Sequence, residues 1–183
     1  MERLESLETG ERRNDIFIAG NTIPVSNVTE NTTAVVTSVL KAKLNYELPA
    51  EAVLSTKRVG KPPAAGQPDK RKILLKLASE PIRDDLLNSC KRVKPPGLFL
   101  NDNLIPTRAE ILYCLRKLKM RCPDKIEHCG SFHGKVYLWL KAGGRRSASK
   151  KLFINSFSAL EDFCSVELSV DLTEIRHQDG NAS

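Results

Sequence analysis

The side chains with the clearest chemical potential in this sequence are basic, and they fall in short clusters: Arg12-Arg13, Lys57-Arg58 with Lys61, Lys70-Arg71-Lys72 with Lys76, Lys91-Arg92, and Arg145-Arg146 behind two glycines. Such clusters can neutralise a row of phosphates, which gives strong, salt-dependent and sequence-indifferent affinity. Contacts of that kind position a strand without reading its bases. Arg108 stands apart from the clusters. Thr107-Arg108-Ala109-Glu110 reads as a capping box, which makes Arg108 the first residue of a helix, beside unsatisfied backbone N–H groups. A helix N-terminus with a guanidinium is a competent phosphate site. Arg116 and Lys119 follow within roughly 80° of Arg108 on that helix. The alternative is a weak surface pair of Arg108 with Asp102 or Glu110.

Other chemistries find less support. There is no phosphate-cradling G-x-x-x-x-G-K-S/T, no G-x-S-x-G elbow and no H-E-x-x-H, so the chain is not expected to be an enzyme. Asp84 and Asp85 read as a solvated helix face beside Arg83. Cys122, His128, Cys129 and His133 offer four potential metal ligands, but the C-x-x-C spacing is missing and His128 and Cys129 would point to opposite faces of a strand. Small buried thiols are the better account, and no metal or cofactor is expected. The five cysteines are odd in number and unpaired in spacing, the N-terminus is acidic without an apolar core, and no apolar run approaches the ~20 residues that span a bilayer. These features read as an intracellular chain, cytoplasmic or nuclear, with no membrane partner; the sequons at Asn27, Asn31 and Asn181 are then accidental.

The elements that must carry these residues can be read from periodicity. Residues 1–13 place Met1, Leu4 and Leu7 at coiled-coil spacing for a single heptad, too short to hold a coiled coil. Residues 14–20 alternate as a half-buried strand that stops at Gly20. A helix over 29–45 follows, capped at Thr29, with a stripe of Val35, Val36, Val39, Leu40 and Leu44. Strands are predicted over 52–60 and 70–78, a helix over 79–93 with Pro81 in its first turn, and a strand over 97–102. The βαββαβ order is the split pattern of ferredoxin-like folds, which include RNA-recognition motifs (RRMs). Its open sheet face would carry Phe17, Lys72, Leu74 and Lys76. A helix with Ile111, Leu115 and Leu118 inward then leads to a hairpin over 125–141 that turns near His133-Gly134, and residues 150–163 read as a strand and a helix capped at Ser158. The expected fold is α+β: an RRM-like domain over 14–103, a small α/β domain over 104–164, and a disordered acidic tail over 165–183.

Charge supports this division. The chain carries +7, yet residues 1–11 and 165–183 each hold four acids against one arginine, so the middle carries +13. A basic body between acidic ends suggests a polyanionic partner. Aromatics are few, at 5%, and the third strand, "KRKILLKLA", has none where a sequence-reading RRM displays rings.

The ordered series "ERRNDIFIAG", "KRVGKPP", "KRKILLKL", "LFLNDNLIPTRAEILYCLRKLK" and "GKVYLWLK" resembles two related groups. One is the C-terminal region of baculovirus few-polyhedra (FP) proteins and their insect relatives. The other is the RRM plus C-terminal domain of first-open-reading-frame proteins of LINE-type retrotransposons. The resemblance spans about residues 11–164. It implies two domains that clamp single-stranded RNA in a basic cleft and act as a nucleic-acid chaperone, with self-association through an upstream coiled coil that is almost absent here. It also implies binding roles for Arg12, Arg13, Arg58 and Arg108.

The sequence therefore predicts a non-catalytic binder of single-stranded nucleic acid, RNA before DNA. Its expected binding residues are Arg12, Arg13, Phe17, Arg58, Lys61, Lys72, Lys76, Arg108, Arg116, Lys119, Arg145 and Arg146. The competing expectation is an assembly module whose RRM-like sheet meets protein instead.

Overall fold

The computed structural model describes residues 2–24, 30–64, 67, 69, 71–141 and 150–173, with side chains from Leu7 onward. The fold is mixed α+β with antiparallel sheets. It divides into two compact units, Gly10–Asn103 and Leu104–Ser183, the latter joined by Met1–Thr9. A helix, α1 (Glu2–Glu11), precedes the first sheet.

In the first unit the order is β1 (Asp15–Ala19), α2 (Thr32–Leu44), β2 (Val53–Arg58), β3 (Ile73–Leu77), α3 (Glu80–Val93) and β4 (Phe99–Asp102). The sheet order is β2-β3-β1-β4, and every neighbouring pair is antiparallel. Alternation does the sorting. Ile16 and Ile18 of β1 and Ile73, Leu75 and Leu77 of β3 are buried on one face. That face packs against Val36, Val39, Leu40 and Leu44 of α2 and Leu86 and Leu87 of α3. Each such aliphatic side chain stabilises the fold by about 1.5–3 kcal/mol on burial.

Several local devices hold these elements in place. Asn31 caps α2 by accepting from the Ala34 N–H at 3.1 Å, so the cap lies two residues beyond the expected Thr29, which is outside the described residues. Gly20 ends β1 at φ +130°, where a Cβ would stand 2.0 Å from the Gly97 carbonyl oxygen; glycine is needed there for both space and conformation. Asp85 is exposed and Asp84 half-buried on α3, but Arg83 beside them is no part of a solvated face. It is 2% exposed and bonds both Asp84 and Asp102, tying α3 to β4. Asp85 is engaged as well, accepting the phenol hydrogen of Tyr46.

The second unit contains α4 (Pro106–Arg121), β5 (Ile126–Phe132), β6 (Lys135–Leu140), β7 (Lys150–Phe153), α5 (Phe157–Phe163) and a π-helical turn, Cys164–Leu168. Its sheet runs β5-β6-β7, antiparallel throughout. The β5–β6 turn is His133-Gly134, with φ of 48° and 73°, the two left-handed residues that a tight hairpin requires. Ile111, Leu112, Cys114, Leu115 and Leu118 of α4 pack on Ile126, Cys129, Val136 and Leu138 of the sheet.

Three expectations are corrected here. The helix starts at Pro106, with Ile105 as the cap residue and no side-chain cap, so Arg108 is its third residue rather than its first. Proline fits the first helical position because its φ is preset and the N–H it lacks would be unsatisfied there. Ser156, not Ser158, caps α5, accepting from the Ala159 N–H at 3.2 Å. The segment after 164 is not a frayed tail as far as Thr173: Leu168 and Leu172 are each 5% exposed and belong to the core, and Ser169 turns the chain at φ +57°. No helix among the described residues is long and apolar enough to cross a membrane.

Candidate functional site

The two helices cover one face of the first sheet, and strand register fixes what the other face presents. Phe17 lies directly between Leu74 on β3 and Asn101 on β4, and Lys57 of β2 continues that row beside Leu74. The next row places Ser55, Lys76 and Asp15 side by side. Lys72 stands just before β3 with its Nζ 3.9 Å from the centroid of the Phe17 ring, a cation–π interaction. Phe99, 59% exposed, sits across from Ala19 at the β4 edge. Phe17, Lys72 and Lys76 are thus brought together on one face. Lys57, Asn101 and Phe99 join them, and their strand alternation was the sequence signal for that placement.

Arg58 is not among them. Its Cα partner is Ile73, so alternation sends its side chain to the helix side, where it is 5% exposed. There its Nε and Nη2 donate to the two Glu30 oxygens at 2.9 and 2.7 Å, and Nη2 also donates to the Pro24 carbonyl at 2.6 Å. Nη1 donates to the Arg71 carbonyl at 3.3 Å. The expected phosphate ligand is instead a buried clasp joining the start of α2, the chain after β1 and the approach to β3. The Arg58 hydrogen bonds hold the Glu30 carboxyl below its usual range. Nearby, Arg71 bonds the Asp69 carboxylate and brings its pKa down to about 2.

The remaining basic residues of this unit lie elsewhere. Arg13 is exposed and pairs with Glu80 at 3.6 Å. Arg12 sits in the turn before β1 and is half-buried, and Lys61 is exposed in the loop after β2. Arg145 and Arg146 lie outside the described residues.

In the second unit, Arg108 has a different task from the one its sequence position suggested. Its Nη1 donates to the Gly134 carbonyl at 2.8 Å and to Thr9 Oγ1 at 3.3 Å, while its Nε is buried without a partner. The guanidinium therefore anchors the β5–β6 turn to α4 and α1. Arg116 is exposed and Lys119 half-buried further along α4. Both are close enough to Cys129 to act on its thiol, which burial nonetheless pushes up. Burial likewise raises the Cys164 thiol to about 11. These are protonated core thiols rather than nucleophiles.

The outer face of the second sheet gathers residues that the sequence leaves scattered. Opposite the core-facing Val136 and Leu138, β6 presents Tyr137 and Trp139. Tyr137 is paired with Gly130 and Phe153, and Trp139 with His128 and Lys151. The phenol of Tyr137 lies over Gly130, where a Cβ would meet its oxygen at 3.0 Å. Phe132 and Phe153 are each 49% exposed. Lys151 Nζ stands 4.5, 5.0 and 5.8 Å from the centroids of Tyr137, Phe153 and Phe132.

A scan against models of known protein families gives no match to this chain, and a search of curated proteins gives none.

Proposed function

We propose that the chain is a non-catalytic binder of single-stranded nucleic acid, RNA in preference to DNA, acting through the open face of the first sheet. The observation that carries this reading is the setting of Phe17. Its ring lies at the middle of the sheet face opposite the helices, with Lys72 over it and Lys57 and Lys76 on the adjoining strand positions. A ring that can stack a base, set among cations that can take phosphates, is the minimum equipment of a single-strand site. The strand order β2-β3-β1-β4 within a βαββαβ chain supports an RRM-like, ferredoxin-like reading of the first unit. The second unit is then the small α/β companion implied by the resemblance to FP and LINE-type retrotransposon proteins.

Fluorescence anisotropy of a labelled single-stranded RNA across a salt series tests this. Wild type is expected to bind at low salt and to weaken linearly on a log–log plot. Replacing Lys72 and Lys76 together by alanine should make that slope shallower by about 0.7 for each phosphate left unneutralised. Phe17→Ala should weaken binding about fivefold or more while leaving the slope alone. Absence of low-salt binding, or a slope unmoved by the lysine changes, overturns the reading.

A further inference from the structure

We propose that the outer face of the β5-β6-β7 sheet is a base-stacking platform, a second surface for single-stranded nucleic acid separate from the Phe17 face. The proposal rests on the single-strand reading above and extends it from phosphates to bases.

Four of the chain's ten aromatic side chains, Phe132, Tyr137, Trp139 and Phe153, are drawn onto this one face by strand alternation and register. They are not packed as a core. Phe132 and Phe153 are half in solvent, and Tyr137 meets Phe153 at 66° rather than in a parallel stack. The charges set among the rings identify the occupant. Lys151 stands within 6 Å of three of them, and Lys135 follows the same alternation as Tyr137 on β6. An apolar protein surface laid here would strip water from the Lys151 ammonium and offer no anion in return, which is costly. A nucleotide supplies both complements, a flat π face for the rings and a phosphate for the lysine. The one acid on β5, Glu127, sits at the bulge far from the β5–β6 turn that Phe132 adjoins. Base stacking tolerates any sequence, so this face adds affinity for unpaired strands and not for duplexes, whose bases are already stacked.

Trp139 is the chain's single tryptophan, and it reports on this face directly. The full chain is titrated with an oligouridylate and, separately, with inorganic polyphosphate of matching charge, reading Trp139 emission alongside anisotropy. The oligonucleotide is expected to quench Trp139 and polyphosphate is not. Phe132→Ala and Phe153→Ala, at exposed positions, should each weaken oligouridylate binding about fivefold or more and blunt the quench. Phe153→Leu, which keeps apolar bulk but removes the ring, should do the same and guards against a folding defect. Oligouridylate binding with unchanged emission and unchanged variant affinity overturns the platform and leaves the Phe17 face standing. Failure of the wild type to bind any strand overturns both. Equal quenching by polyphosphate, or emission that tracks protein concentration without nucleic acid, assigns the face to bare charge or to self-association and overturns the proposal.

Discussion

Arg58→Ala separates a structural arginine from a ligand-binding one. The side chain is 5% exposed, its Glu30 partner 9%, and the pair is bidentate at 2.7 and 2.9 Å. Removing the guanidinium leaves the Glu30 carboxylate with the Thr32 hydroxyl in place of its bidentate partner, and takes a donor from the Pro24 and Arg71 carbonyls. Breaking a buried pair from one side costs about 3–5 kcal/mol; Glu30 lies close to the surface, so water can take over part of the role and the lower figure, about 3 kcal/mol, applies. For a unit of this size that corresponds to a fall in Tm of roughly 12–24 °C. Thermal unfolding by circular dichroism reads the fall. RNA affinity, measured well below the lowered Tm, should be unchanged. A cycle with Glu30→Ala should return a coupling of about 1 kcal/mol or more, because the two side chains share one network. A variant that melts within about 3 °C of wild type, as an ordinary surface substitution does, yet loses its RNA affinity would refute this assignment.

Two further outcomes concern pH. Glu30 and Asp69 are both held below their usual carboxylate range by arginine hydrogen bonds, so their stabilisation is complete above about pH 4.5 and 3.8 respectively, the ordinary values, and is lost as pH falls through the folded-state values. Stability of the first unit should therefore decline as pH falls below these ordinary values, the Asp69 part fading toward about pH 2, and Asp69→Asn should abolish that part in an acid titration followed by circular dichroism. Tyr46 behaves in the opposite sense. Burial, and then its hydrogen bond to Asp85, raise its phenol to about 12, so the stability it contributes is present below about pH 10 and fades between there and about 12. An ultraviolet titration should show one of the three tyrosines ionising late, and Tyr46→Phe should remove that component.

The α+β class was legible because the periodicities were clean: Val36, Val39, Leu40 and Leu44 in helical steps, and Ile73, Leu75 and Leu77 in steps of two. Those same steps put Phe17, Lys72 and Lys76 on one face. Caps were less legible, because Thr107 and Ser158 make plausible caps and the choice of Ile105 and Ser156 depends on where the preceding chain arrives. Arg58 was misread and the burial of Arg83 was not foreseen for a shared reason: arginine in sequence suggests solvent, and burial depends on acids that are distant along the chain, Glu30 for one and Asp102 for the other. The ring face of the second sheet was half visible. Tyr137 and Trp139 alternate within six residues, but Phe132 and Phe153 join them only through the cross-strand register of a three-stranded sheet.

The position of β1 has a consequence for biosynthesis. Among the described residues it pairs with β3 and β4 and with no other strand, Ile16 lying opposite both Leu75 and Asp102. Its partners are made long after it: at ordinary ribosomal speeds of about 5–20 residues per second, roughly 4–17 s separate the synthesis of Ile16 from that of Asp102. Until Leu75 is made, roughly 3–12 s after Ile16 at those speeds, Ile16, Phe17 and Ile18 form an apolar strand with neither edge satisfied, and the edge that meets β4 stays open for the whole interval. The β5–β6 hairpin, closed by a two-residue turn, has no such delay. Newly made chains are accordingly most vulnerable at β1, where a chaperone that holds short extended apolar segments would find its first site.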